Sequence, residues 1–103
     1  MTDFGDMMKQ AQALRERFQR LQEELGAKTV EGSSGGGMVV VAANGRQEVV
    51  SVRIEKEVVS PDDVGMLQDL VRAAVNDALA RSKEMAASEL SKITGGMLPP
   101  GIL

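Results

Sequence analysis

Apolar residues recur at spacings of three and four along the first quarter of the chain, at Phe4, Met7, Ala11, Leu14, Phe18, Leu21 and Leu25. This pattern predicts an amphipathic helix from about Asp3 to Leu25, with Gly26 as its C-terminal stop. A heptad seam needs a second surface with matching spacing, so we expect a homo-oligomer, most simply a homodimer. The predicted dimer interface comprises Met7, Leu14, Phe18, Leu21 and Leu25. The pattern leaves open whether the seam packs within one subunit, between subunits, or both.

Three strand patterns separated by turn residues follow the predicted helix. Segment 28–31 is consistent with a short strand, and segment 38–43 (MVVVAA) is rich in β-branched residues, with a glycine-rich turn at 32–36 between them. Asn44-Gly45 predicts a tight type I′ hairpin turn, because both central positions of that turn need a positive φ. The return strand, 46–55, alternates apolar and polar residues, which predicts one buried and one solvated face.

Ser60-Pro61-Asp62-Asp63 indicates a second long helix, which is predicted to begin at Pro61. Ser60 suits the N-cap and Pro61 the first helical position, and the helix is expected to reach about Ile93. Its first half should pack on the sheet, and its second half should project or pack on the first helix. The predicted fold is α+β, in the order α-β-β-β-α with a three-stranded antiparallel sheet, as one domain over residues 1–94. Residues 95–103, rich in Gly and Pro, are expected to form a flexible tail.

The composition excludes several kinds of chemistry. The chain has no Cys and no His, which removes thiol nucleophiles, disulfides, Cys/His zinc sites and imidazole acid–base catalysis. The N-terminal residues lack the pattern of a signal peptide, and no apolar run approaches the length of a membrane span. We therefore expect a soluble cytoplasmic protein that uses no cofactor, metal, membrane or small-molecule substrate.

Two groups of residues could be mistaken for catalytic or phosphate-binding sites. The glycines at 35–37 precede a predicted strand, whereas a phosphate-binding loop opens a helix, so a plain hairpin turn is expected. The Asp62–Asp63 pair is explained by the start of a helix, and Glu55 and Glu57 lie at the end of a strand. The chain is therefore predicted not to be an enzyme, and no catalytic residue is assigned.

The distribution of charge matters more than its total. The chain carries 12 Lys and Arg against 15 Asp and Glu, and a formal net charge of −3 argues mildly against nucleic acid as a partner. Carboxylates at helical spacings should pair with Arg20, Arg72 and Arg81. Arg15, Arg17 and Lys83 have no such neighbour, and Lys9 has only Asp6. Such cations either contact phosphates or are merely solvated, and the pattern does not decide between the two.

If the partner is a nucleic acid, duplex DNA contacted through its backbone is the compatible case. Recognition of unpaired bases needs aromatic platforms, and the chain has no Trp or Tyr and two Phe. The alternative is a dimeric protein-interaction module whose acidic surface docks onto a DNA repair or replication protein without binding DNA itself.

Several segments together resemble the YbaB/EbfC nucleoid-associated proteins. They are Met8-Lys9-Gln10-Ala11-Gln12, the hairpin GGGMVVV…ANG, Pro61-Asp62-Asp63, the run LQDLVRAAVNDAL at 67–79, and the TGGM…PPG ending. The resemblance extends from about residue 7 to residue 101, with matching order and spacing.

The resemblance implies a bacterial homodimer in which sheets and helices join at the centre and helical arms protrude like tweezers. It also implies binding of double-stranded DNA with weak or variable sequence preference, a location in the nucleoid, and a role in chromosome organisation or regulation. Recombination or replication proteins are implied as further partners. The matching basic positions, expected to bind DNA, are Lys9, Arg15, Arg17, Arg81 and Lys83.

Overall fold

The computed structural model describes residues 3–94 and has the predicted order of elements. These are α1 (Phe4–Ala27), β1 (Thr29–Ser34), β2 (Val39–Asn44), β3 (Val49–Ile54) and α2 (Val64–Thr94). The strands form one antiparallel sheet in the order β1-β2-β3. The predicted α+β class and α-β-β-β-α order are therefore confirmed. The tail predicted at 95–103 lies outside the described residues.

Helix α2 packs closely on one face of the sheet, over β1 and β2. On β2, Val39, Val41 and Ala43 point toward the helix and are fully buried together with Ala74 and Ala78 of α2. A Cβ atom on Gly32 of β1 would lie 2.1 Å from the backbone nitrogen of Ala78, so only glycine fits there. The glycine therefore sits inside a strand, and β1 continues through positions predicted to be a turn. The connection between β1 and β2 is confined to residues 35–38.

The connection between β2 and β3 is a hairpin, but its turn differs from the predicted type I′ turn. The amide of Gln47 donates to the carbonyl of Asn44 (3.1 Å), and Gln47, not Asn44 or Gly45, has a positive φ of 63°. This is a three-residue loop closed by a left-handed residue. The Asn44 side chain organises it, since its Oδ1 accepts hydrogen bonds from the amides of Arg46 (2.9 Å) and Glu48 (3.1 Å).

Both helices have boundaries that differ from the prediction by a few residues. Helix α1 continues through Gly26 to Ala27, and a Cβ on Gly26 would overlap the guanidinium of Arg46. Helix α2 begins at Val64, because Asp63 caps it by accepting from the amide of Met66 (3.0 Å). Ser60, predicted to be that cap, instead accepts from the amide of Asp62 (3.2 Å) in the preceding turn.

A second, smaller core joins α1 to the far half of α2. Leu21 and Leu25 of α1 are buried against Leu90 of α2, with Phe18 and Ile93 half-buried beside them. The second half of α2 therefore packs on the first helix, one of the two arrangements expected. The N-terminal half of α1, residues 4–17, is exposed on every side. We call this segment the arm, and it contributes to an elongated molecule of 72 × 22 × 16 Å.

The apolar side chains of β3 are exposed, although their alternation predicted a buried face. Val52 and Ile54 pair directly with Val41 and Val39, so they lie on the side of the sheet that α2 covers elsewhere. The helix crosses β1 and β2 and leaves β3 open. A bulge between Ala42 and Ala43 turns Val49 to this side as well. We call the exposed set the β3 face; it comprises Val49, Val50, Val52 and Ile54.

Candidate nucleic-acid interface

The arm carries three of the five basic residues singled out by the sequence. Lys9, Arg15 and Arg17 are all exposed, and none of them has a carboxylate within 4.0 Å in the described part of the chain. The arm is held in helical form at its start by Asp3, whose Oδ1 accepts from the amide of Asp6 (2.8 Å). A solvated helix with free cations can reach a polyanion without breaking internal ion pairs.

The three arm cations do not lie on one side of α1. At about 100° per residue, Lys9 and Arg17 share one flank of the helix, whereas Arg15 lies roughly 160° from Arg17 on the other side of the apolar seam. Arg20 falls on the same flank as Lys9 and Arg17. It is exposed and forms no ion pair within residues 3–94, although three glutamates stand at helical spacings from it. The sequence reasoning omitted Arg20 because it assumed that those glutamates neutralise it.

The two basic residues of α2 differ from each other. Arg81 is paired with Asp77 (Nε to Oδ1, 3.3 Å), as the helical spacing suggested, whereas Lys83 is exposed and has no ion pair among the described residues. The amide of Ser33 donates to Asp77 Oδ2 (3.0 Å), and this bond, helped by Arg81, lowers the pKa of the Asp77 carboxyl. Asp77 therefore stays ionised and holds the Arg81 guanidinium beside β1.

The structure separates the basic residues into two groups along the molecule. Ser82, between Arg81 and Lys83, is buried and donates its hydroxyl to the carbonyl of Asn44, the last residue of the central strand β2. Arg17 lies instead beside Ile93, near the end of α2. At 1.5 Å per residue, the levels of Lys83 and Ile93 differ by roughly 15 Å along the helix axis. A ligand that contacts both groups must therefore span at least that distance.

The seam residues predicted to form the dimer interface divide into two sets. Leu21 and Leu25 are buried inside one chain, and Phe18 is half-buried against them. Met7 and Leu14, farther out on the arm, remain 58% and 49% exposed. Only the outer part of the seam is therefore open to another molecule in this structure.

A compact joint connects the arm to the sheet. The amide of Gly45 donates to the carbonyls of Leu25 (2.7 Å), in the last turn of α1, and Lys28 (3.2 Å), its C-cap. Carbonyls at a helix end lack partners within the helix, so this amide supplies one. A Cβ at Gly45 would come within 2.9 Å of Leu25, so the close approach requires glycine. Lys28 also binds Glu89 of α2 (Nζ to Oε1, 3.0 Å). We call this group the arm joint.

Other kinds of site find little support in the described residues. Between Asp3 and Thr94 no group of three acidic, His or Cys side chains could hold a metal ion. Within the same range, neither helix is long and apolar enough to cross a bilayer. The Gly35–Gly37 run leads into β2, as expected of a hairpin turn, and Asp63 serves as a helix cap.

Comparison with known proteins identifies the family. The sequence model of the YbaB/EbfC DNA-binding family matches residues 1–97. The chain belongs to this family. It is 58% identical over 95 residues to a nucleoid-associated protein of Syntrophobacter fumaroxidans, covering 92% of this chain and 86% of that one. It is also 54% identical over 101 residues to one from Moorella thermoacetica, covering 98% and 97%.

A solved structure shares the fold of this family member. The crystal structure of an uncharacterized protein from Helicobacter pylori superposes with a TM-score of 0.80 at 25% identity. The match covers 92% of this chain and 100% of the other. The resemblance inferred from the sequence is thereby confirmed for both family and fold.

Proposed function

We propose that the chain is a DNA-binding nucleoid-associated protein that contacts the duplex backbone as a homodimer, with weak or no sequence preference. The observation that carries this proposal is the arm, which presents unpaired cations on an exposed helix in a member of a DNA-binding family. Its role would be to organise or regulate the bacterial chromosome in the nucleoid, without catalysing a reaction. Recombination or replication proteins are further proposed partners, an expectation that rests on the family resemblance alone.

Phosphate contacts fit the arm better than reading of unpaired bases. Arg and Lys side chains form charge-assisted hydrogen bonds to phosphate oxygens, and such contacts carry little sequence information. Stacking on single strands needs a series of exposed aromatic rings. Phe18 is half-buried in the smaller core, which leaves Phe4 as the exposed ring among residues 3–94. The bound form is therefore proposed to be double-stranded DNA.

The acidic total charge does not oppose this proposal, because the charges are segregated. Residues 7–22 contain Lys9, Arg15, Arg17 and Arg20 against one acid, Glu16. Residues 55–69 contain five acids against one Lys. At physiological salt the screening length is about 8 Å, so DNA at the arm would experience mainly the local cations.

The proposed DNA-binding residues are Lys9, Arg15 and Arg17 on the arm and Arg81 and Lys83 on α2. Lys9 and Arg17 would contact phosphates on one side of α1, and Arg15 would contact phosphates on the other side. Arg81 would have to share its guanidinium with Asp77, so its contribution should be the smallest of the five.

The homodimer is proposed to form mainly through the β3 face. Its four side chains are 37–52% exposed, although the β2 partners of Val49, Val52 and Ile54 are fully buried. An uncovered strand edge with apolar side chains is unfavourable in water, and a second copy would complete the core. Met7 and Leu14 on the arms are proposed as a secondary contact. Phe18, Leu21 and Leu25 are already packed within the chain and would support the dimer indirectly.

The test is fluorescence anisotropy of a labelled DNA duplex titrated across a salt series. Wild-type affinity should fall linearly on log–log axes, with a slope of about 0.9 per phosphate neutralised. Arg15→Glu with Arg17→Glu should abolish binding while size-exclusion chromatography still shows a dimer. The matched control is Lys56→Glu with Arg72→Glu, which changes the net charge equally but lies off the arm.

Two outcomes would contradict the proposal in different ways. Undiminished binding by the arm double variant would refute the assignment of the site. A wild-type protein that binds no duplex even at low salt would refute DNA binding itself, and a nuclease-treated pull-down would then seek a protein partner.

A further inference from the structure

A cleft opens between α1 and the end of α2, next to the smaller core. It has a volume of about 390 Å³ and is lined by Arg17, Arg20, Leu21, Glu24 and Ile93. Leu21 is buried and Ile93 is half-buried, so the floor of the cleft is apolar. The two arginines and Glu24 are exposed and form its charged rim. We call this the Arg17–Arg20 cleft.

The two arginines of this cleft are close together, and neither forms an ion pair among the described residues. Residues three apart on a helix are neighbours, with about 5–6 Å between their Cβ atoms. Neither arginine lies within 4.0 Å of a carboxylate in the described part of the chain, although Arg20 has Glu24 one turn away. Two adjacent like charges repel each other, and an anion placed between them would remove that cost.

The chemistry of the cleft favours a phosphate group. Each guanidinium is a planar fork with five N–H donors, which matches phosphate oxygens in bidentate geometry. Glu24 would oppose phosphate binding, because its carboxylate shares the same rim.

We propose that Arg17 and Arg20 together grip one backbone phosphate of bound DNA in this cleft, and that Glu24 limits the affinity of the grip. The inference rests on the proposed function and extends it to two residues that the sequence did not assign, Arg20 and Glu24. It places the strongest backbone contact at the base of the arm, where α1 is supported by α2, and not at its free end.

The proposal predicts effects of opposite sign on the two sides of the cleft. Arg17→Ala with Arg20→Ala removes the whole phosphate contact and should reduce the slope of log affinity against log salt by about 0.9 for each protomer that contacts DNA, or about 1.8 per dimer. Arg20→Ala alone should weaken the affinity with a smaller reduction of the slope, because Arg17 still contacts the same phosphate. Arg20→Lys should keep the slope and weaken the affinity, because the charge remains while the fork is lost. Glu24→Gln should raise the affinity at every salt concentration.

Matched controls separate this contact from a change of net charge. Arg72→Ala removes one positive charge from an exposed residue already paired with Asp69, and Glu57→Gln removes one negative charge from the acidic segment. Both should leave the slope unchanged, and circular dichroism confirms that each variant is folded.

The same titrations distinguish failure of this inference from failure of the proposed function. If wild type binds DNA but Arg20→Ala behaves like Arg72→Ala, or Glu24→Gln like Glu57→Gln, the cleft is not the phosphate site. If wild type binds no DNA at low salt, the proposed function is refuted and the phosphate grip with it.

Discussion

Replacing Gly32 by alanine tests the close packing of α2 on β1. The added Cβ would lie 2.1 Å from the nitrogen and 2.6 Å from the Cα of Ala78, both backbone atoms of a long helix. No side-chain rotation can relieve such an overlap, so the helix must move away from the strand. Overpacking of this kind costs about 1–3 kcal/mol, and we expect the upper part of that range because Ala74 and Ala78 are fully buried along the same contact.

The assay is urea denaturation followed by far-UV circular dichroism, since the chain has no Trp. A loss of about 2–3 kcal/mol should appear as a lower urea midpoint with an unchanged dependence of the unfolding free energy on urea concentration. Protein concentration must be held constant, because dimerisation would add to the apparent stability.

Gly65→Ala is the matched control, with the same chemical change and the opposite expected sign. Gly65 lies in the first turn of α2, and an added Cβ there meets nothing within 4 Å. Alanine is favoured over glycine in a helix by about 0.5–1 kcal/mol, so this variant should be slightly more stable than wild type. A Gly32→Ala variant as stable as wild type would refute the argument that glycine is required by the approach of α2.

Two further predictions concern the arm and its attachment. Hydrogen bonds from Lys28 (3.0 Å) and Lys92 (3.2 Å) lower the pKa of Glu89 in the folded protein. The ionised Glu89 therefore stabilises the fold fully above its unfolded-state pKa, and this stabilisation is lost as the pH falls through its folded-state pKa. Glu89→Gln should therefore reduce the difference between urea midpoints measured at pH 7 and at about pH 3.5, and an unchanged difference would contradict this. Leu25→Ala should lower the free energy of unfolding by about 2–4 kcal/mol in thermal denaturation. Leu14→Ala should change it by less than about 0.5 kcal/mol, measured at protein concentrations below the dissociation constant of the dimer. Equal losses would show that the whole seam forms one interface.

The order of the elements was predictable because it follows from local periodicity. Spacings of three and four marked both helices, and alternation marked β3. The positions of the turns were less predictable, since the residues that mark turns also serve other purposes. Gly32 was assigned to a turn because serines and glycines follow it, yet it lies in β1 to admit Ala78, a residue 46 positions away.

The hairpin turn was misassigned for a similar reason. Asn44-Gly45 has the composition of a type I′ turn, but Gly45 is required by its approach to Leu25, and the positive φ falls on Gln47. A glycine can serve either a positive φ or a close approach between distant segments. The second role depends on tertiary structure, so the glycine alone does not reveal which role applies.

The basic residues illustrate the limits of reasoning from spacing. Helical spacing correctly indicated the pair Asp77–Arg81 and the pair Asp69–Arg72, but it also indicated a partner for Arg20 that the structure lacks. A spacing of three or four makes an ion pair possible, while exposed pairs gain at most about 1 kcal/mol and need not form. Sequence could have retained Arg20 as a candidate by asking which cations share a flank with Lys9 and Arg17.

The direction of the arm is decided at its base. Residues 4–17 are exposed on every side within the described part of the chain, so the course of α1 depends on the smaller core and the arm joint. There Gly45 binds the carbonyls of Leu25 and Lys28, and Lys28 binds Glu89 of α2. A small rotation at this joint is multiplied along about 20 Å of helix. The proposed cleft lies close to the joint, where that displacement is smallest, so a phosphate held by Arg17 and Arg20 would be positioned more reliably than one held by Lys9.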